Sequence, residues 1–126
     1  MHKILIATHN KGKYPEFEAF FKAHGFQTVA SYQAELSDVE EGDTSFAENA
    51  RLKAAHGLKQ KQLMTLGDDS GIEIPDLDDF PGVITARCTK EQGGYQQAVD
   101  YYLDKLKVDE CRARYVAELC LAVADQ

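Results

Sequence analysis

Lys3-Ile4-Leu5-Ile6-Ala7-Thr8-His9-Asn10-Lys11-Gly12-Lys13 is the stretch whose reading decides the fold. Residues 3–8 form a short apolar run that ends in a polar, turn-prone cluster, which is the pattern of a buried strand. Pro15 then falls where the first turn of a helix tolerates it. Phe17, Phe20 and Phe21 follow at spacings of three and four, so a helix with one apolar stripe is expected, stopping at Gly25. Strand, polar turn and helix in that order predict an α/β fold.

Outward from this opening, the chain is polar around Glu40-Glu41-Gly42-Asp43, and Ser45-Phe46-Ala47-Glu48 has the form of a capping box. A second helix is expected from there to about Lys61. Residues 63–66 read as a second short strand, Asp69-Ser70-Gly71 as a turn, and Ile72-Glu73-Ile74 as a half-exposed strand, which together make a hairpin candidate. Residues 76–82 read as a loop. Val99, Tyr102, Leu103 and Leu106 mark a third helix by their spacing. The last segment, 114–124, alternates, with Tyr115, Ala117, Leu119, Leu121 and Val123 on one face. No repeat, linker or low-complexity tract interrupts the 126 residues, so one domain is expected over residues 1–126.

Apolar residues make up 44% and charged residues 28%, values that argue against disorder and against a fibrous protein. Fourteen Lys and Arg face 21 Asp and Glu, and the net charge of −7 has the wrong sign for holding duplex nucleic acid by counterion release. Any phosphate must therefore be held locally, by a few cations in one cleft with a divalent metal bridging the carboxylates, which implies Mg²⁺. Cys88, Cys111 and Cys120 are odd in number and lack Cys-x-x-Cys spacing, so no disulfide framework or zinc site is expected, and they suit a reducing cytosol. The apolar run from Ile4 to Ala7 is too short for a signal-peptide core or a membrane span. A cytoplasmic protein, away from membranes, is expected.

Three groups of residues carry chemistry. Asn10, Gly12 and Lys13 stand where a strand hands over to a helix, a place that attracts phosphate oxygens and also a common polar turn. The Walker phosphate loop does not fit, because Ala7 and Tyr14 occupy positions where it needs Gly and Ser or Thr. Asn49 and Lys53, four apart, share a helix face and can reach one ligand, whereas Glu48 looks elsewhere. Glu41 either binds metal or complements the helix N-terminus. Asp68 and Asp69 point to opposite faces if extended, so one should face a cleft and the other be structural. Paired acids at a strand end can hold Mg²⁺ and orient a water, but Asp-Asp-Ser-Gly is also good turn chemistry.

Taken jointly and in order, Ile6-Ala-Thr-His-Asn-Lys-Gly-Lys13 with Glu16-Phe17, then the run from Glu41 through Ala54, then Asp68-Asp-Ser-Gly71 and Pro81-Gly-Val-Ile-Thr-Ala-Arg87 closely resemble the Ham1 family of inosine/xanthosine triphosphate pyrophosphatases. The resemblance runs from about residue 3 to residue 124. It implies a mixed curved sheet flanked by helices, usually in a dimer, and Mg²⁺-dependent hydrolysis of a nucleoside triphosphate to monophosphate and pyrophosphate, with water attacking the α-phosphorus. It implies that Thr8, His9, Asn10, Lys11, Gly12 and Lys13 wrap the phosphates, that Lys53 adds a cation and that Ser70 contacts substrate. Glu41 and Asp69 would hold metal, and Asp69 would also take the proton of the attacking water.

Departures accompany the match. His9 stands where Gly is common, and Asp78-Asp79-Phe80 replaces a Gly-rich stretch. Family members continue beyond the strand at which this chain stops, through Phe-Gly-Tyr-Asp-Pro and Ser-His-Arg segments that recognise the purine, and neither is present here. A C-terminally shortened relative is thus expected. Its last strand would leave Leu119 and Leu121 uncovered and favour a homodimer or larger assembly. The alternative to an enzyme is an impaired relative that binds nucleotide or phosphate, or has only a structural role.

Overall fold

The apolar opening forms β1 (His2–Ala7), in which Ile4, Leu5 and Ile6 are fully buried, as a strand covered on both faces requires. The structure, a computed structural model, describes residues 2–124. After the turn comes α1 (Tyr14–Ala23), with Pro15 at its start and Gly25 just beyond its end in the left-handed conformation, φ +86°. The helix lays Tyr14, Phe17 and Phe21 on Ile4, Ile6 and Leu66. Phe20 does not join them and is 58% exposed, because spacings of three and four select residues 14, 17 and 21 and turn its neighbour toward solvent.

β2 (Phe26–Ala30) runs parallel to β1, from His2 opposite Phe26 to Ile6 opposite Ala30. α2 (Phe46–Lys61) opens at Ser45, whose hydroxyl accepts the Glu48 N–H at 3.0 Å. The return half of the expected capping box is not among the bonds formed; the Glu48 carboxylate pairs with Arg51. α2 covers the opposite face of β1, and glycines set how closely. A Cβ on Gly67 would lie 2.1 Å from the Ala50 carbonyl oxygen, and one on Gly57 would lie 2.6 Å from Thr65 Cγ2.

The expected hairpin is not formed. β3 (Met64–Ile74) continues straight through Asp68-Asp69-Ser70-Gly71. Residues 65–69 are buried, so their backbone groups need ladder partners that a turn would forfeit. On one side they find β1, in parallel register from Ile4 opposite Met64 to Ala7 opposite Gly67. β4 (Phe80–Pro81) pairs antiparallel with the end of β3 between short 3-10 turns at Pro75–Leu77 and Gly82–Ile84, so residues 76–82 are more ordered than the expected loop. Next come α3 (Thr85–Gln92), α4 (Tyr95–Leu106) and β5 (Arg114–Ala122). The sheet order is β2-β1-β3-β4, with β5 also paired to β3.

The chain divides into two compact units, Met1–Asp69 with Glu118–Gln126, and Ser70–Ala117. In the first, β1 is central, α1 and α2 cover opposite faces, and β2 and β3 flank it on either side. That creates a topological switch point at the carboxyl ends of β1 and β3, the place where open α/β sheets bind ligands. The second unit has its own core of Ile74, Cys88, Ala98 and Tyr102. α3 escaped the sequence reading because it buries only Thr85 and Cys88 and carries no apolar stripe. α4 was expected and turns Ala98 and Tyr102 inward, while Val99 is 42% exposed. All three cysteines are free. Among the described residues no helix is long and apolar enough to cross a membrane.

Candidate active site

At the end of β1 the chain folds on itself through residues 8–13. Thr8 Oγ1 accepts the Asn10 N–H at 3.1 Å, Asn10 Oδ1 accepts the Gly12 N–H at 3.0 Å, and the Asn10 carbonyl accepts the Lys13 N–H at 3.0 Å. These bonds give the loop a fixed course into α1. Gly12 suits it, since a Cβ there would already press on Asn10 Oδ1 at 3.2 Å. His9 and Lys11 are exposed.

The register of β1 against β3 places Thr8 beside Asp68. Thr8 Oγ1 donates to Asp68 Oδ2 at 2.7 Å, and Lys13 Nζ reaches Asp68 Oδ1 at 3.0 Å. The Asp68 carboxylate is only 2% exposed and ties both ends of the loop to the sheet. Asp69, one residue on, faces α2, as strand alternation demands. There Lys53 Nζ lies 3.2 Å from Asp69 Oδ1, 3.0 Å from the Asp68 carbonyl oxygen and 2.6 Å from Glu41 Oε1.

Lys13, Asp68, Lys53, Asp69 and Glu41 thus form one connected network, although they lie far apart in the chain. Of the groups expected in one pocket, Lys53, Glu41 and Asp69 are brought together directly, whereas Lys13 is joined to them only through Asp68, whose carboxylate it meets on the other side of the strand. Asn49 differs from expectation. It is buried, and its amide grips the Gly42 backbone, accepting the N–H at 3.0 Å and donating to the carbonyl at 2.9 Å. Ser70 belongs to the second unit, where its hydroxyl accepts the Tyr115 O–H at 2.9 Å. The sequence reading had allowed one acid of the Asp68–Asp69 pair to be structural, but not that it would hold Lys13 and Thr8; only the strand register reveals this.

Burial pushes the Asp69 carboxyl above its ordinary value of 3.8, and Lys53 pulls it down less than burial raises it. Its Oδ2 is buried with no hydrogen-bond partner among the described residues. An unpaired buried lone pair beside a second carboxylate, Glu41, fits a hard cation. Among the described residues no cluster of three or more His, Cys, Asp and Glu could hold a metal alone. Two carboxylates plus water and phosphate oxygens suit Mg²⁺, which rarely has an all-protein cage. Charge points the same way. Two lysines against three carboxylates leave the network net negative, so a polyphosphate needs an added cation to be attracted. Beside it opens a cavity of about 240 Å³, whose walls include Thr8, His9, Lys11, Tyr32 and Lys53.

The sequence profile described as the Ham1 family matches residues 4–126. The chain is 36% identical over 107 residues to a dITP/XTP pyrophosphatase of Vibrio vulnificus, covering 85% of this chain and 54% of that protein. It is 37% identical over 131 residues to the dITP/XTP pyrophosphatase of Agrobacterium fabrum, covering 97% and 61%. Among solved structures, a HAM1 protein from Coxiella burnetii superposes with a TM-score of 0.83 at 28% identity, over 96% of this chain and 63% of that one. The Staphylococcus aureus Ham1 protein superposes with a TM-score of 0.81 at 30% identity, over 98% and 65%. The chain thus spans somewhat more than half the length of these relatives.

Proposed function

The chain belongs to the Ham1 family, and from that premise we propose that it hydrolyses non-standard purine nucleoside triphosphates to nucleoside monophosphate and pyrophosphate, with Mg²⁺ as cofactor. The relatives named dITP/XTP pyrophosphatases support that substrate class. The observation that carries the reading is the single network of Lys13, Asp68, Lys53, Asp69 and Glu41 at the switch point of the sheet.

In this reading residues 8–13 wrap the triphosphate, with the loop's course fixed by Asp68. Lys13 and Lys53 neutralise charge that builds on the leaving pyrophosphate as the bond to the α-phosphorus breaks. The Asp69 carboxylate, beside Lys53, takes the proton of the attacking water. Glu41 and Asp69 would hold the magnesium, which supplies positive charge against phosphate oxygens and acidifies a nearby water.

We place the protein in the cytoplasm as a homodimer or larger assembly. The free cysteines support the first and the exposed side chains of β5 the second. The test is pyrophosphate release from ITP, XTP and dITP with Mg²⁺ by the 126-residue chain, with calorimetric titration of the same nucleotides alongside. Release of pyrophosphate is expected. Binding without release would replace the hydrolase reading with that of a nucleotide-binding relative, and absence of both binding and release would defeat both.

A further inference from the structure

Glu41 sits on residues 36–42, which have no regular secondary structure. A carboxylate on an untethered segment loses conformational entropy whenever it meets a ligand. Here the segment is fastened along one face of α2. Asn49, Lys53, His56 and Gln60 follow at spacings of four, three and four, so they line one side of the helix. Asn49 holds both backbone groups of Gly42, and Lys53 holds Glu41.

Further along, His56 Nε2 lies 2.8 Å from the Ser37 carbonyl oxygen and 3.1 Å from Ser37 Oγ. A carbonyl can only accept, so Nε2 carries the hydrogen. Gln60 Oε1 accepts the Ser37 N–H at 3.0 Å, and Gln60 Nε2 donates to Ser37 Oγ at 2.9 Å. Loop numbers fall as helix numbers rise, so the segment lies antiparallel to α2 with fastenings at Gly42 and Ser37. Glu41 is held between them.

We propose that His56, assisted by Gln60, is a positioning residue that pins Ser37 and thereby presents Glu41 at Lys53 and Asp69. The inference rests on the reading of Glu41 as a metal ligand. With Ser37 released, the segment stays held at Gly42 and through the Glu41–Lys53 pair, and residues 37–40 no longer constrain the approach of Glu41. Groups that hydrogen-bond a metal ligand directly are worth about 10- to 100-fold in metal affinity, and His56 acts on Glu41 one step further out, through Ser37. His56 also borders the cavity with Thr8, His9 and Lys53, so the rival role is direct contact with substrate.

The experiment uses the whole chain carrying His56→Ala, His56→Gln, Gln60→Ala or Glu41→Gln, with amide exchange of residues 37–42 followed in metal-free protein and Mn²⁺ binding measured by electron paramagnetic resonance. His56→Ala is expected to speed exchange across 37–42 and to weaken Mn²⁺ by up to about tenfold, the lower end for a direct partner. Gln60→Ala should move both in the same direction, and His56→Gln, which keeps a donor, should restore them. Gln60 is exposed on α2, so its variant tests the idea even where His56→Ala disturbs folding. Unchanged exchange in both alanine variants overturns the proposal, as does a rise in nucleotide KM confined to His56→Ala with exchange unaltered. Normal Mn²⁺ binding in Glu41→Gln instead removes Glu41 from the metal; faster exchange in the alanine variants would then still uphold the pinning of the segment.

Discussion

Asp69 combines burial, one lysine partner and one unpaired oxygen, and these set its behaviour. If it is the base, Asp69→Asn loses about a hundred- to ten-thousand-fold in rate, measured as pyrophosphate release. Its raised pKa in the metal-free protein bears on stability. Between 3.8 and the raised value the folded protein keeps a proton that the unfolded chain has released, so stability falls as pH rises through that window. In metal-free protein the stability lost across that window, read from urea midpoints, should therefore be smaller in Asp69→Asn than in the parent chain. Much of this centre was legible beforehand. The spacing of four along a helix put Asn49 and Lys53 on one face, and strand alternation separated the two aspartates. The partners of Asp68 were not legible, since Thr8 and Lys13 lie 60 and 55 residues away and meet it only through strand register.

The seat of α2 on β3 decides whether Lys53 reaches its acids. Two glycines allow the close approach, one on each element. Gly67→Ala would drive a methyl against the Ala50 carbonyl oxygen and the Ala54 amide nitrogen, backbone atoms that cannot swing aside. A loss of about 3 kcal/mol or more is expected, the upper range for overpacking, read from the urea midpoint. Lys53 should then move off the Asp68 carbonyl, and nucleotide affinity should fall with stability. At this scale the sequence was read correctly where local signals and tertiary context agreed, as in β1, Pro15 and the Ser45 cap. It was misread at Asp69-Ser70-Gly71, where good turn chemistry yielded to the pairing of a buried eleven-residue strand. It was silent on α3, which lacks the periodicity that announces a helix.

For the whole molecule, the exposed face of β5 matters most. Tyr115, Leu119 and Leu121 on β5, and Val123 just past its end, are each more than half exposed, as their alternation foretold for an uncovered strand. A second copy of the chain is the proposed cover. Light scattering at micromolar concentration should report about twice 14.0 kDa, and Leu119→Glu with Leu121→Glu should return it to the single-chain mass. A monodisperse single-chain species in the parent protein would count against the dimer. The ion pairs at the switch point reach beyond geometry as well. Lys13 and Lys53, two of the lysines that a triphosphate would use, are already engaged by carboxylates. An arriving polyanion would compete with Glu41 and Asp69 for Lys53, and a carboxylate released from that lysine becomes a seat for a divalent ion. Cation and nucleotide should therefore show mutual positive cooperativity, each tightening the other by the same factor. Titrating nucleotide at graded magnesium would measure it, and affinities independent of one another would refute it.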